Sequence, residues 1–121
     1  MPILKVEIVG EMNPELRATL AQTVADAAVT VLASKIQETW VRVYDIPSGD
    51  YAENGGAASG VAPVFVTVLK HHHSEGIALK YEVKVLTEAI ARACDRPVEN
   101  VHLLYEAPAM GRLSFGGKLV E

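Results

Sequence analysis

The chain is poor in the features that mark several whole classes of protein. It holds one cysteine, Cys94, among 121 residues, which excludes an internal disulfide framework. Aromatic residues make up 6% of it, so its core must be aliphatic. Lysine and arginine number 11 against 15 aspartates and glutamates, a formal net charge of −4. No basic stripe offsets that balance, which argues against a nucleic-acid partner. No apolar run is long enough to span a bilayer and no secretory h-region opens the sequence, so no membrane association is expected and the expected compartment is cytoplasmic. No phosphate loop or dinucleotide fingerprint is present.

Half of the residues are apolar, and the length suits one domain, 1–121, with a real core. Leu4, Val6 and Ile8 alternate with Lys5 and Glu7, the period-2 pattern of a half-buried strand. Asn13-Pro14-Glu15 reads as an N-cap, an N1 proline and an acidic first turn. Leu16, Leu20, Val24, Ala28 and Val31 then recur at helical spacing, predicting a helix to about Ser34. Trp40–Tyr44 reads as a second strand, followed by a turn at Pro47–Asp50 and a loose boundary at Asn54–Gly60. A third strand is expected over Val64–Leu69, a loop over Lys70–His73, and a helix opening at Ser74-Glu75 with Leu79, Val83, Leu86 and Ile90 as its buried stripe. Pro97 breaks the chain, Val101–Glu106 reads as a fourth strand, and Arg112–Leu119, with Gly116-Gly117 at its turn, as a terminal hairpin.

The second half repeats the first. Pro63 stands 61 positions after Pro2, and the same offset maps Tyr44-Asp45 onto Tyr105-Glu106, Pro47 onto Pro108, and Gly55-Gly56 onto Gly116-Gly117. This predicts an α/β (α+β) chain of two tandem β-α-β units, one over about 2–56 and the other over about 63–117. Within each unit the helix carries the chain back, so its two strands run parallel. The units join into one four-stranded sheet with both helices on one face. The other face is left open, and is expected to pack in an oligomer.

The start of the chain carries chemistry. Proline after an initiator methionine exposes a free secondary amine once Met1 is trimmed. A free α-amino group titrates near neutrality, and apolar burial or a nearby cation lowers its pKa. Pro2 could then act as general base or acid at physiological pH. Otherwise it is a proline at the first position of a strand, where its missing N–H does no harm.

Two tandem β-α-β units, Pro2 directly after Met1, and an end reading Gly111-Arg112-Leu113-Ser114-Phe115-Gly116-Gly117 resemble the tautomerase superfamily (the 4-oxalocrotonate tautomerase and MIF fold). The chain looks most like its fused long members, such as malonate semialdehyde decarboxylase and the cis-3-chloroacrylic acid dehalogenases. The resemblance implies the tautomerase fold, assembly as a homotrimer, and an enzyme that needs no cofactor. Pro2 would be its catalytic general base or acid, acting on a small enol, keto or unsaturated carboxylic acid. Glu38 falls where decarboxylase-like members place a catalytic aspartate. Leu113 and Phe115 fall where the family builds an apolar wall. Members that handle carboxylates carry arginines in the loop after the third strand, whereas here that loop is Lys70-His71-His72-His73, with His71 and His73 nearest the expected positions. Arginine offers a permanent charge and a bidentate fork, which histidine lacks. Lys70, His71 and His73 are therefore the expected carboxylate contacts, with Tyr105 as a further hydrogen-bond donor.

The remaining signals are read more plainly. The histidine run is not expected to bind metal, because adjacent residues rarely converge on one ion. Cys94 falls on an apolar helical face and reads as a packed thiol. His102 reads as a packed strand residue, and Arg42 either as reaching a site in a neighbouring subunit or as a surface or interface residue. The rival functional readings are a non-catalytic oligomeric binding module of the same fold, and a hydratase or decarboxylase of the same superfamily.

Overall fold

The computed structural model describes residues 2–60 and 62–121; Met1, whose removal the sequence leads one to expect, lies outside them. Strand β1 (Ile3–Val9) leads to helix α1 (Pro14–Leu32) and strand β2 (Trp40–Ile46). The second unit runs through β3 (Val64–Leu69), α2 (Gly76–Cys94) and β4 (Val101–Tyr105). A short hairpin, β5 (Ser114–Phe115) and β6 (Lys118–Leu119), ends the chain. Its turn is Gly116-Gly117, with φ of 56° and 90° that only glycine adopts freely.

The four long strands form one sheet in the order β2-β1-β3-β4. β1 pairs parallel with β2, starting at Ile3 opposite Trp40, and β3 pairs parallel with β4, starting at Val64 opposite Val101. These are equivalent positions under the 61-residue offset. The units meet through antiparallel β1 and β3, where Leu4 faces Val68, Val6 faces Val66 and Ile8 faces Val64. All six side chains are fully buried. In space the repeats correspond one residue further on, at 76 − 14 = 62, where Pro14–Leu32 falls on Gly76–Cys94; exchanging them on that count keeps the covered face, because Leu4–Val68 becomes Val66–Val6. A local twofold axis therefore passes between the two strands.

Both helices cover the buried face and touch each other. Asn13 caps α1, its Oδ1 accepting from the N–H of Glu15 (2.8 Å) and of Leu16 (3.3 Å). The helix stops two residues short of the expected Ser34, because Ala33 turns left-handed (φ 51°) and its N–H returns to the Val29 carbonyl. Leu20, Val24, Ala28 and Leu32 face the core, while Leu16 and Val31 reach only its edge. In α2 the expected stripe also shifts. Leu86 and Ile90 are buried, but Leu79 and Val83 are half-buried, and Glu82 occupies the covered position between them. Cys94 is buried as expected, and burial pushes its thiol up to about 11. His102 is a correction: it lies exposed on the face away from the helices, its ring 5.5 Å from that of Phe65. Trp40, Arg42, Tyr44 and Leu104 are also exposed on that face. No helix among the described residues is long and apolar enough to cross a membrane.

Leu86 sits at the centre of this core with no exposed surface. Leu86→Ala should lower the unfolding free energy by about 2–5 kcal/mol. A lower denaturant midpoint at unchanged slope would show it.

Candidate active site

The β1–β3 register decides what stands next to Pro2. One step beyond the Ile3–Leu69 pair, it sets Pro2 opposite Lys70. Residues opposite each other in an antiparallel pair share a face, so both belong to the helix-covered side. Pro2 is buried, and its carbonyl accepts from the Trp40 N–H at 3.0 Å, which fixes it between β2 and β3. Around it opens a cavity of about 410 Å³, lined by the end of α1 (Leu32, Ala33, Ser34), by Glu38, and by Lys70 through Ser74. Five of the expected site residues meet here: Pro2, Glu38, Lys70, His71 and His73. Larger grooves lie beside α1; this cavity is the one that joins Pro2 to Glu38 and to the Lys70–His73 loop.

The other three expected residues lie outside that lining. Tyr105, on β4, is half-buried and turned toward α2. Leu113 lines a separate cavity with Leu69 and Ala109. Phe115 stands edge-on to Trp40, with ring centroids 5.0 Å apart. Within one chain the apolar wall expected at Leu113 and Phe115 is thus displaced toward Trp40 and the ends of β3 and β4.

The histidine loop is braced from both ends. The Glu82 carboxylate accepts from Lys70 Nζ at 2.8 Å, from the Tyr105 hydroxyl at 2.6 Å and, more weakly, from Ser74 Oγ at 3.4 Å. Burial by itself raises the Glu82 pKa, but the bonds from Lys70 and Tyr105, with the lysine charge, outweigh it and hold the carboxyl below its ordinary range. Burial and the bond to Glu82 push the Tyr105 hydroxyl well up, so it stays a neutral donor. His73 stacks edge-on against Tyr105 at 5.4 Å between centroids, and its Nε2 lies 2.6 Å from the Glu106 carbonyl oxygen. That oxygen only accepts, so in the neutral ring Nε2 carries the hydrogen. Nδ1 is then a bare acceptor, buried and without a partner. His71 Nε2 is likewise 3.0 Å from the main-chain oxygen of Glu121. Glu38 closes its own turn by accepting from the Lys35 N–H at 2.7 Å. Among the described residues, no three His, Cys, Asp or Glu side chains stand together as metal ligands.

The twofold-related end of the sheet is built differently. Pro63 is buried like Pro2, but its nitrogen is an amide and cannot be a base. Arg96 fills the space beside it. Its Nη1 donates to the carbonyls of Val9 (2.9 Å), Ala62 (3.0 Å) and Pro63 (3.2 Å), and its Nη2 to that of Glu11 (3.1 Å).

The sequence matches no family model and no curated relative. Solved structures do match. A fused 4-OT, a wild-type symmetric trimer, superposes with a TM-score of 0.77 at 16% identity, over 98% of this chain and 94% of that one. A malonate semialdehyde decarboxylase inhibited by 3-bromopropiolate gives 0.70 at 21% identity, over 94% and 88%. The chain has the tautomerase-superfamily fold. A macrophage migration inhibitory factor-like protein from Entamoeba histolytica shares it as well, with a TM-score of 0.70 at 12% identity over 98% and 97% of the two chains.

Two residues of this tautomerase fold escape a reading of the sequence. Glu82 had a signal: it stands three residues after Leu79 and four before Leu86, on the apolar stripe of α2, where a carboxylate needs a partner. Arg96 had none, since its partners are backbone carbonyls.

The lowered Glu82 pKa has a sign that can be tested. A carboxyl that holds its proton less tightly when folded contributes stability in full above its unfolded value, near 4.5. That contribution is lost as the pH falls through the lower native value. Glu82→Gln should remove this part of the acid dependence, so denaturant midpoints of variant and parent should converge as the pH drops from about 6 to about 3.

Proposed function

We propose that the chain is an enzyme that moves a proton with the amine of Pro2, exposed by loss of Met1, as general base and acid. The observation that carries this reading is the position of Pro2. It is buried at the end of β1, in the wall of a cavity of about 410 Å³ that also takes in Glu38, Lys70, His71 and His73. A secondary amine on a fixed backbone has one accessible lone pair and no side-chain torsion, so its geometry toward a bound carbon acid is set by the sheet.

The substrate is a small enol, keto or unsaturated carboxylic acid. Its carboxylate is held by Lys70, and by His71 and His73 in the doubly protonated form, in which Nδ1 becomes a second donor. Pro2 takes a proton from carbon or oxygen and returns it to the other, which interconverts enol and keto forms without a cofactor. Glu38 sits across the cavity and either stabilises the charged proline or orients a water. The second role would turn the same site to hydration or decarboxylation. Tyr105 acts through Glu82, and Phe115 through its packing on Trp40. Assembly as a homotrimer is supported by the fused 4-OT described as a symmetric trimer. It is also supported by Trp40, Tyr44 and Leu104, apolar groups left exposed on the outer face of the sheet.

One feature favours a rival. No arginine lines the cavity, so no permanent bidentate anchor for a carboxylate is present among its described residues. A non-catalytic binding module of the same fold would follow if turnover is absent.

Ketonisation of phenylenolpyruvate, followed by ultraviolet absorbance, separates the two. Pro2→Ala should lower kcat at least about a hundredfold, the usual contribution of a positioned acid or base. Its far-ultraviolet circular dichroism and assembly mass should match the parent. Full activity in Pro2→Ala defeats the proposal. A parent inactive on enol, β-keto and unsaturated acids alike leaves the binding module.

A further inference from the structure

This inference rests on the reading of Pro2 above and concerns what sets the charge of its amine. Beyond the last β1–β3 rung, Lys70 is the register partner of Pro2 on the same face of the sheet. Its ammonium does not turn to solvent: the Lys70 side chain is 15% exposed and that of Glu82 is 8% exposed, with 2.8 Å between Nζ and Oε1. Glu82 comes from α2 and is itself fixed by the Tyr105 hydroxyl at 2.6 Å and by Ser74. An ammonium has three donors, and this contact uses one. The other two remain for the side of Lys70 that lines the Pro2 cavity.

We infer that the balance of charge between Lys70 and Glu82 governs the proton affinity of the Pro2 amine. Lys70 is the cation that disfavours protonation, and Glu82 is the positioning residue that holds Lys70 in place and moderates its field. Other groups face the amine as well. Glu38 comes from the turn before β2, where it is tied to the Lys35 N–H. His71, His72 and His73 come from the loop after β3. The end of α1 offers only Leu32, Ala33 and Ser34. Tyr105 on β4 is a neutral donor. Glu38 is therefore the one other permanent charge on the lining, and it opposes Lys70. Because a charge on the lining of a partly buried cavity is only weakly screened, removing either member of the pair has an effect of definite sign. Without Lys70, an unbalanced Glu82 carboxylate favours the protonated amine. Without the Glu82 charge, the full field of Lys70 disfavours it.

The test titrates the amine directly, by nitrogen-15 NMR of the mature protein labelled at proline. The chain has six prolines, and only a free Pro2 amine titrates near neutrality. Lys70→Met should move the midpoint up by about one pH unit or more, and Glu82→Gln should move it down by a similar amount. The double variant Lys70→Met/Glu82→Gln should return to within about half a unit of the parent, since it removes both charges together. The low-pH limb of kcat/KM should follow the same order. Should Lys70→Met fail to fold around its unpaired carboxylate, the Glu82→Gln midpoint decides. A purely structural pair would lower the melting temperature of these variants and leave their midpoints on the parent value, which would overturn the inference. Inactive Pro2→Ala with unshifted midpoints refutes this inference alone. Met1 found retained by intact mass leaves no amine and overturns the Pro2 reading along with it.

Discussion

The pairing of β1 with β3 is the constraint from which the rest of the molecule follows. Six apolar side chains, Leu4, Val6, Ile8, Val64, Val66 and Val68, meet two by two on the covered face. A slip of one residue would turn all three of one strand toward the open face, so the register is held by burial rather than by the hydrogen bonds, which any register could make. That register places each repeat's opening proline at an opposite end of the central ladder. It also sets a residue at the end of the partner strand beside that proline. Pro2 receives Lys70, and Pro63 receives Val9, whose N–H donates to the Pro63 carbonyl at 3.1 Å.

From this symmetric frame the two ends diverge through a few side chains. At the Pro63 end, Arg96 reaches four backbone carbonyls. At the Pro2 end, the polar demand is met from the other direction. The carboxylate of Glu82 rises from α2 and collects Lys70, Tyr105 and Ser74, and the chain between them is left as a histidine-rich rim around a cavity. One end sets a cation against carbonyls. The other sets an anion against donors. A duplicated unit thus yields two chemically different ends with no change in backbone topology.

The fold was legible because its signals are local and were repeated. Alternation over Leu4–Ile8 and the Asn13-Pro14 cap follow from short-range chemistry; the alternation recurs at Val64, Val66 and Val68, whereas α2 opens after Glu75 with no side-chain cap. The strand Val64–Leu69 was read to the residue. The candidate site was legible in part. Pro2 and the Lys70–His73 loop were visible as residue types, and the register brought them together with Glu38. Tyr105, Leu113 and Phe115 were harder, because the direction of a side chain at a strand end depends on which neighbour satisfies it. Tyr105 turns to a carboxylate on α2, and Phe115 turns to Trp40. His102 was misjudged for a related reason: Val101, Leu103 and Tyr105 take the covered face of β4, so period-2 geometry sends His102 outward.

Glu82 also shows why a buried ionic cluster should be weighed by position more than by energy. Taking a carboxylate and an ammonium out of water costs several kcal/mol, and a well-packed apolar pair is often as stable. The α2 stripe supplies apolar neighbours on both sides, so leucine at this position would extend it without a break. What leucine could not do is hold Lys70 and Tyr105 at 2.8 Å and 2.6 Å from one group. Lys70 opens the histidine loop just past β3, and Tyr105, at the end of β4, stacks on His73 within it. Fixing both to α2 fixes the span of chain between Lys70 and Ser74, and with it the rim of the cavity beside Pro2. The cluster is best understood as a constraint on that rim, obtained at little or no gain in stability.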